Sequence, residues 1–140
     1  RNISHALSPV LFPPDKLQEA LIKLMHMADS ANIESHFEFS KILKISDNSI
    51  AIQVYRIAQE AINNAIKYSK ASNITLQLKT HLNQMMLVIQ DDGIGIDLKK
   101  TKADWGIGLK IMQYRASSIN ASLFIESTPE NGTKIRCIFS

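Results

Sequence analysis

Tyr55-Arg56-Ile57-Ala58-Gln59-Glu60-Ala61-Ile62-Asn63-Asn64-Ala65-Ile66-Lys67-Tyr68 is the stretch that decides how the chain folds. Ile50 and Val54 ahead of it and Ile57, Ala58, Ala61 and Ala65 within it recur at the spacing of one helix face. Asp47 or Asn48 is placed to cap this helix, because a short side-chain oxygen accepts from its first free N–H groups. Glu60, Asn64 and Lys67 follow one another at spacings of four and three. At about 100° per residue they form one stripe bordering the apolar arc, where they would line a cleft. A carboxylate, an amide oxygen and an ammonium together can position a water or hydroxyl, complete the shell of a hydrated Mg²⁺ and meet a phosphate. On the helix alone, a solvated face with one Glu-to-Lys pair accounts for them more simply.

Upstream, Ser8-Pro9-Val10-Leu11-Phe12-Pro13-Pro14 excludes regular helix, because proline removes a donor and forces its predecessor extended. Residues 1–14 are expected to be a lead-in and 15–140 a single domain. Asp15 is placed as an N-cap with Gln18 completing a capping box, and Leu17, Ala20, Leu21, Leu24 and Ala28 mark one face of a helix over 16–30. Residues 33–39 alternate as a strand does, with Ile33, Ser35, Phe37 and Phe39 on one face and Glu34, His36 and Glu38 on the other.

Downstream, Ile74, Leu76 and Leu78 alternate with polar residues. After the break at Leu82-Asn83-Gln84, Met85 to Asp91 is apolar on both faces, as a central strand is. Residues 92–105 keep neither period and read as a loop. A third helix is expected from about Ile107 to Ile119, with Leu109, Met112, Ala116 and Ile119 inward. Strands at 122–127 and 133–139 then flank Pro129-Glu130-Asn131-Gly132. Helices and strands interleave while two strand pairs are hairpin-linked, so a mixed sheet covered on one face by three helices is expected rather than a parallel one.

A length of 140 residues suits one continuous core, and 45% hydrophobic with 21% charged residues excludes a disordered, collagenous or disulfide-built class. The excess of 16 basic over 13 acidic residues is small for a nucleic-acid binder. Cys137 is the one cysteine, so neither an intrachain disulfide nor a cysteine-built zinc site can form, and a reducing interior fits. The longest purely apolar run, Met85 to Ile89, falls far short of the roughly 20 residues of a spanning helix, so no membrane contact is expected of this stretch. The chain opens on Arg1 with no signal segment and reads as a fragment of something longer.

Two glycine segments follow the central strand. In Asp91-Asp92-Gly93-Ile94-Gly95, glycines let the backbone turn and approach a ligand, and a carboxylate at the strand end can accept from an exocyclic amine such as that of adenine. An ordinary strand-to-loop turn uses the same residues. Gly106-Ile107-Gly108-Leu109 stands where the third helix is expected to begin, a place whose unpaired amides and positive dipole end suit phosphate. A flexible entry to a helix would look alike. Asp97 to Trp105, with Lys99, Lys100 and Lys102, has the length and polarity of a mobile lid, although such lysines are usually solvated charge.

The order of these pieces carries more than any one of them: Glu60 and Asn64 on a helix, D-x-G-x-G after a strand, a polar stretch, G-x-G at a helix, and Gly132-Thr133 opening a strand. The series resembles the GHKL superfamily of ATP-binding domains, which histidine kinases share with gyrase, Hsp90 and MutL, over nearly the whole chain. Residues 55–68 with their Gln59-Glu60 pair, the leading Leu7-Ser8-Pro9, and Gly108-Leu109-Lys110-Ile111-Met112-Gln113-Tyr114-Arg115 are similar to the nitrate-sensor and desaturase-sensor type of histidine kinase.

The resemblance implies a two-layer α/β sandwich of the Bergerat type. The function it implies is a kinase domain passing the γ-phosphoryl of Mg²⁺-ATP to a histidine on a dimerisation helix outside this chain. Glu60 would be the general base or position the attacking group, Asn64 would ligate Mg²⁺ and Lys67 would meet phosphate. Asp91 would take the adenine amine, with Gly93 and Gly95 around the base, Gly106, Gly108 and Leu109 along the phosphates, and Thr133 at the adenine end. Implied partners are the protein's own dimerisation helices and a response regulator, in a homodimeric full-length protein whose kinase domain is cytoplasmic and whose receptor part can be membrane-anchored.

Several positions depart from that pattern: Tyr68 replaces a frequent histidine, Asn120-Ala121 a glycine pair, and Ile111 and Tyr114 a glycine and a glutamate. They bear on helix-to-strand geometry more than on chemistry. His5, His26, His36 and His81 precede Ala6, Met27, Phe37 and Leu82, so none has the acidic successor of a phosphoacceptor, and none pairs with another at metal-ligand spacing on a helix. A nucleotide-holding regulatory module of anti-sigma type and an ATP hydrolase of the gyrase or MutL sort stay as alternatives. Glu60 speaks against the first, and chain length against the second.

Overall fold

The computed structural model describes residues 14–40, 45, 47–95 and 103–140. A 3-10 turn, Pro14–Lys16, leads into α1 (Leu17–Ser30), β1 (Glu34–Phe39), α2 (Asn48–Asn64), β2 (Asn73–His81), β3 (Gln84–Asp91), α3 (Ala103–Ser118), β4 (Ser122–Ser127) and β5 (Thr133–Phe139). The strands form one sheet in the order β1-β2-β3-β5-β4. β1 pairs with β2 in parallel across the α2 connection, and every other pairing is antiparallel. The expected two-layer sandwich with a mixed sheet and three helices is the fold observed, and β3 is its middle strand.

Strand periodicity puts the core on one side. Ile74, Leu76 and Leu78 of β2, Met85, Leu87 and Ile89 of β3, and Ile135, Cys137 and Phe139 of β5 are in register and buried. Leu21, Leu24, Met25 and Ala28 of α1, Val54, Ile57, Ala58 and Ala61 of α2 and Met112 and Ala116 of α3 close over them. Each large aliphatic side chain so buried stabilises the fold by roughly 1.5–3 kcal/mol as an upper estimate. Cys137 lies within this layer, and burial pushes its thiol up to about 12, which leaves it an inert packing residue. Among the described residues no helix is long and apolar enough to cross a membrane.

Caps and turns explain where the elements end. Asp47 caps α2, accepting from Ser49 N at 2.8 Å, and the hydrogen bonds from Ser49 hold its carboxyl below the ordinary range. The Asp15 capping box does not form. Pro14 already sets helical φ, so turning starts before Asp15 and the N-cap position falls to Lys16, which makes no side-chain cap bond. Leu82 and Asn83 both take positive φ, the two-residue hairpin turn that lets Gln84 pair with His81. Asn120 adopts φ +56° after α3, and Ala121 N donates to Ala116 O at 2.9 Å. An asparagine thus fills the left-handed position where the resembling family has glycine.

The third helix is longer than its sequence pattern. It begins at Ala103 rather than near Ile107, so Gly106 and Gly108 lie inside its first two turns and not ahead of them. Each glycine costs about 1 kcal/mol in a helix interior. That cost misled the sequence reading, and packing of α3 on α2 and β4 outweighs it. The proposed lid falls at 97–102, outside the described residues, and at 103–105, within α3.

Candidate functional site

Glu60 and Asn64 leave the C-terminal half of α2 toward α3, but not from equal environments. Glu60 is half-buried, Asn64 is only 5% exposed and Lys67 is exposed. The stripe expected along the border of the apolar arc therefore sinks into it at Asn64. Opposite stands Gly108 of α3: a Cβ there would lie 2.7 Å from Glu60 Oε2 and 3.0 Å from Asn64 Nδ2. Glycine at 108 is what lets the backbone of α3 close over both polar groups. Asn64 Nδ2 is buried and has no hydrogen-bond partner among the described residues. A buried donor left unpaired costs about 1–3 kcal/mol, which makes this amide a candidate to meet a ligand's acceptor.

Beyond Asn64 the helix widens into a π turn, Ala65–Ser69, ending at Lys70 with φ +55°. Single π turns of this kind frequently mark functional sites. Lys67 falls within this widened turn and is exposed, so the constant helical period assumed from the sequence stops at Asn64.

The second cluster forms where β3 ends beside β5. Asp91 is 6% exposed and Thr133 equally so. Burial raises the Asp91 carboxyl above its ordinary value, opposed by hydrogen bonds from the Gly93 and Thr133 backbone and reinforced by the nearby Asp92 charge. Gly93 N donates to Asp91 Oδ1 at 2.9 Å, which aims the carboxylate across the strand end. Thr133 Oγ1 meets Ser127 Oγ at 2.8 Å. Gly95 takes φ +66°, and Glu130 N donates to Ile94 O, which ties the glycine loop to the β4–β5 turn.

Asp92, one residue on, points the other way. It accepts from Ser72 N, Asn73 N and Asn73 Nδ2, each at 2.8 Å, and these bonds hold its carboxyl below the ordinary range despite some burial. The bond to Asp92 fixes the Asn73 amide, so its Oδ1 faces His36 Nε2 at 2.8 Å and that nitrogen carries the proton. The paired acids thus divide: one is buried on the helix-covered face of the sheet and one fastens the start of β2 to the end of β3. Nothing in the spacing distinguishes them beyond their opposite sides along an extended chain.

Glu60, Asn64 and Gly108 are therefore in direct contact range, and Asp91, Gly93 and Thr133 form a second group joined to the first through the turn 65–69. Gly106 and Leu109 are half-buried on α3, with Leu109 packed against the core. Lys67 is exposed and joins neither group among the described contacts. A cavity of about 180 Å³ near Gly132 and Thr133 is lined also by Gln90, Glu126 and Lys134, which alternate with the core residues of β3, β4 and β5. It opens on the far side of the sheet from α2 and is below the size usual for a nucleotide-sized ligand.

Comparison with known proteins bears on the family and the fold. The family model described as histidine kinase-, DNA gyrase B-, and HSP90-like ATPase matches residues 49–140, from the first turn of α2 to the end of the chain. The chain belongs to this ATPase family. The sensor protein VraS of Staphylococcus saprophyticus is 39% identical over 82 residues, 59% of this chain and 23% of that protein. The chain therefore matches under a quarter of the length of its curated relatives. Among solved structures, the Acinetobacter baumannii histidine kinase AdeS superposes with a TM-score of 0.71 at 18% identity, covering 94% of this chain and 66% of that one. Full-length ShkA in complex with AMPPNP gives 0.71 at 17% identity, over 94% and 30%. At such identities these structures speak for the shared fold.

Proposed function

We propose that this ATPase-family domain is the catalytic ATP-binding part of a two-component sensor histidine kinase, of the nitrate-sensor and desaturase-sensor type. It would bind Mg²⁺-ATP between α2, the glycine loop after β3 and α3. The single observation that carries this is the Asn64 amide, buried without a partner beside Glu60 under a glycine that leaves it room. Similarity to VraS supports the sensor reading, and a relative of the same fold, ShkA, has been solved with AMPPNP.

The residues around Asn64 fit a divalent ion of the Mg²⁺ kind, which takes few protein oxygens and fills its shell from phosphate and water. Asn64 Oδ1 would hold it, leaving Nδ2 to donate to a phosphate oxygen. When bound, the ion neutralises charge on the transferring phosphoryl group. Asp91, ionised, accepts from the adenine amine, with Thr133 beside it and Gly93 and Gly95 letting the glycine loop pack close on Ser69 and Thr128 around the base. Gly106, Gly108 and Leu109 flank the phosphates. Glu60 holds or deprotonates the attacking group, and Lys67 adds positive charge at the phosphate end. Catalysis on such a frame is chiefly positioning.

The acceptor would be a histidine on the protein's dimerisation helices, with a response regulator downstream and the domain in the cytoplasm of a homodimeric kinase. None of the four histidines here precedes an acid. The 140-residue chain should therefore bind nucleotide without phosphorylating itself. Calorimetric titration with ATP, with and without Mg²⁺, tests the binding, and Asp91→Ala should weaken it at least tenfold, the equivalent of ~1.4 kcal/mol. Undiminished affinity in that variant overturns the adenine assignment. Glu60→Gln in a full-length kinase should abolish phosphoryl transfer while leaving ATP bound. Unchanged transfer would favour a regulatory module of anti-sigma type.

A further inference from the structure

Ser69 belongs to neither cluster, yet both pass through it. It closes the π turn that follows Asn64, is 5% exposed, and its hydroxyl donates to Ala65 O at 2.5 Å while accepting from Ala71 N at 3.2 Å. In an α-helix the Ala65 carbonyl would take the Ser69 amide. In the π turn it takes the amide five residues on, and the Ser69 hydroxyl is a second donor that holds this widened form. The Ser69 carbonyl, turned outward by that widening, accepts from Ile94 N at 2.7 Å. Gly93 is packed against the same residue, so that a Cβ at 93 would run into the Ser69 carbonyl and stand 2.7 Å from Ser69 Cβ. Gly93 N in turn aims the Asp91 carboxylate.

We infer that Ser69 is a positioning residue that sets the spacing between Glu60 and Asn64, at the phosphate end of the site, and the base-reading Asp91. The inference rests on the nucleotide reading above. A ligand that spans both ends binds only when the two clusters stand a fixed distance apart, and a path of hydrogen bonds from α2 to the glycine loop runs through this residue. Removing the hydroxyl takes away one of two donors on Ala65 O, so the α-helical alternative, with the Ser69 amide on that carbonyl, gains by comparison. The turn then tightens to α-helical register and withdraws the Ser69 carbonyl from Ile94. Each cluster keeps its own internal bonds, so each half-ligand still finds its site.

That separation defines the test. The full chain and its Ser69→Ala variant are titrated with ATP, with adenosine and with magnesium tripolyphosphate, the two fragments by displacement of a fluorescent ATP analogue and correction for the analogue's own affinity. ATP should bind the variant about tenfold more weakly, while adenosine and tripolyphosphate bind both proteins alike. Equal loss for all three ligands would mean a general structural role and would overturn the coupling, as would unchanged ATP affinity. Amide exchange in the free proteins gives a second measurement that needs no ligand: Ile94 should lose protection while Leu87 and Cys137 in the sheet keep theirs. Protection of Ile94 equal in the two proteins would also overturn it. If the unsubstituted chain binds none of the three ligands, the nucleotide reading itself fails, an outcome distinct from any effect of the substitution.

Discussion

The carbonyl oxygen of Asp91 lies against Gly132 so closely that a Cβ at 132 would collide with it, and that Cβ would stand 3.3 Å from Asp91 Oδ1. Gly132 also sits at φ +76°, where a side chain is strained whatever the space. Gly132→Ala should therefore destabilise the fold by roughly 1–2 kcal/mol from backbone strain alone. Because the obstacle is backbone at the end of the middle strand, it should also turn the Asp91 carboxylate. Thermal unfolding and ATP titration measured together check both effects, and a variant as stable as the parent would contradict the contact.

Gly108→Ala is expected to behave in the opposite way. Its obstacles are the ends of two side chains, Glu60 Oε2 and Asn64 Nδ2, which can swing aside. Alanine meanwhile recovers about 0.5–1 kcal/mol of helix propensity. The melting temperature should hold or rise slightly while ATP affinity drops at least tenfold. Loss of folding with binding intact in the surviving fraction would show that Gly108 serves packing alone.

Asn64→Leu offers a sharper contrast between stability and function. Leucine has nearly the shape of asparagine, and the change removes a buried donor that nothing satisfies. The variant should gain about 1–3 kcal/mol of stability and lose Mg²⁺-dependent ATP binding. Chemical denaturation read beside calorimetry checks the pair of outcomes. A less stable variant would mean that the amide is satisfied in the free protein.

These contrasts separate what the sequence discloses from what it hides. Apolar patterning sufficed for α1, α2 and all five strands, because the spacing of a buried face is local and β3, buried on both faces, shows as a continuous apolar run. The glycine segments were legible as unusual, and Asp91, Asn64 and Glu60 were legible as polar residues that packing did not demand. The start of α3 was not legible. Its glycines argue locally against helix, and only contact with α2, distant in sequence, reverses the balance. The π turn was hidden for a similar reason, since Ser69 reads as a surface-type residue until its hydroxyl is seen bonded to Ala65 O. The Asp15 cap failed because the geometry of Pro14 came first.

The raised pKa of Asp91 gives a test that depends on proton linkage. Burial holds its carboxyl above the ordinary value of 3.8 in the folded chain. For a group whose folded pKa is raised, the stability it contributes is fully present below the unfolded value and is lost as pH rises through the folded one. The folded protein therefore carries a cost at neutral pH for keeping this carboxylate ionised, the form that accepts from an adenine amine. Lowering the pH from neutral through the folded pKa should relieve that cost and weaken ATP binding together, and the weakening should begin above 3.8. Asp91→Asn cannot titrate, so its stability relative to the parent should rise with pH across the same window. Its ATP affinity should follow only ionisations that the parent shares, above all the titration of the nucleotide's own phosphate near pH ~6. That titration is common to both proteins and cancels in the ratio of their affinities. A ratio that stays flat from pH 7 down to 4 would mean that the Asp91 charge does not read the base.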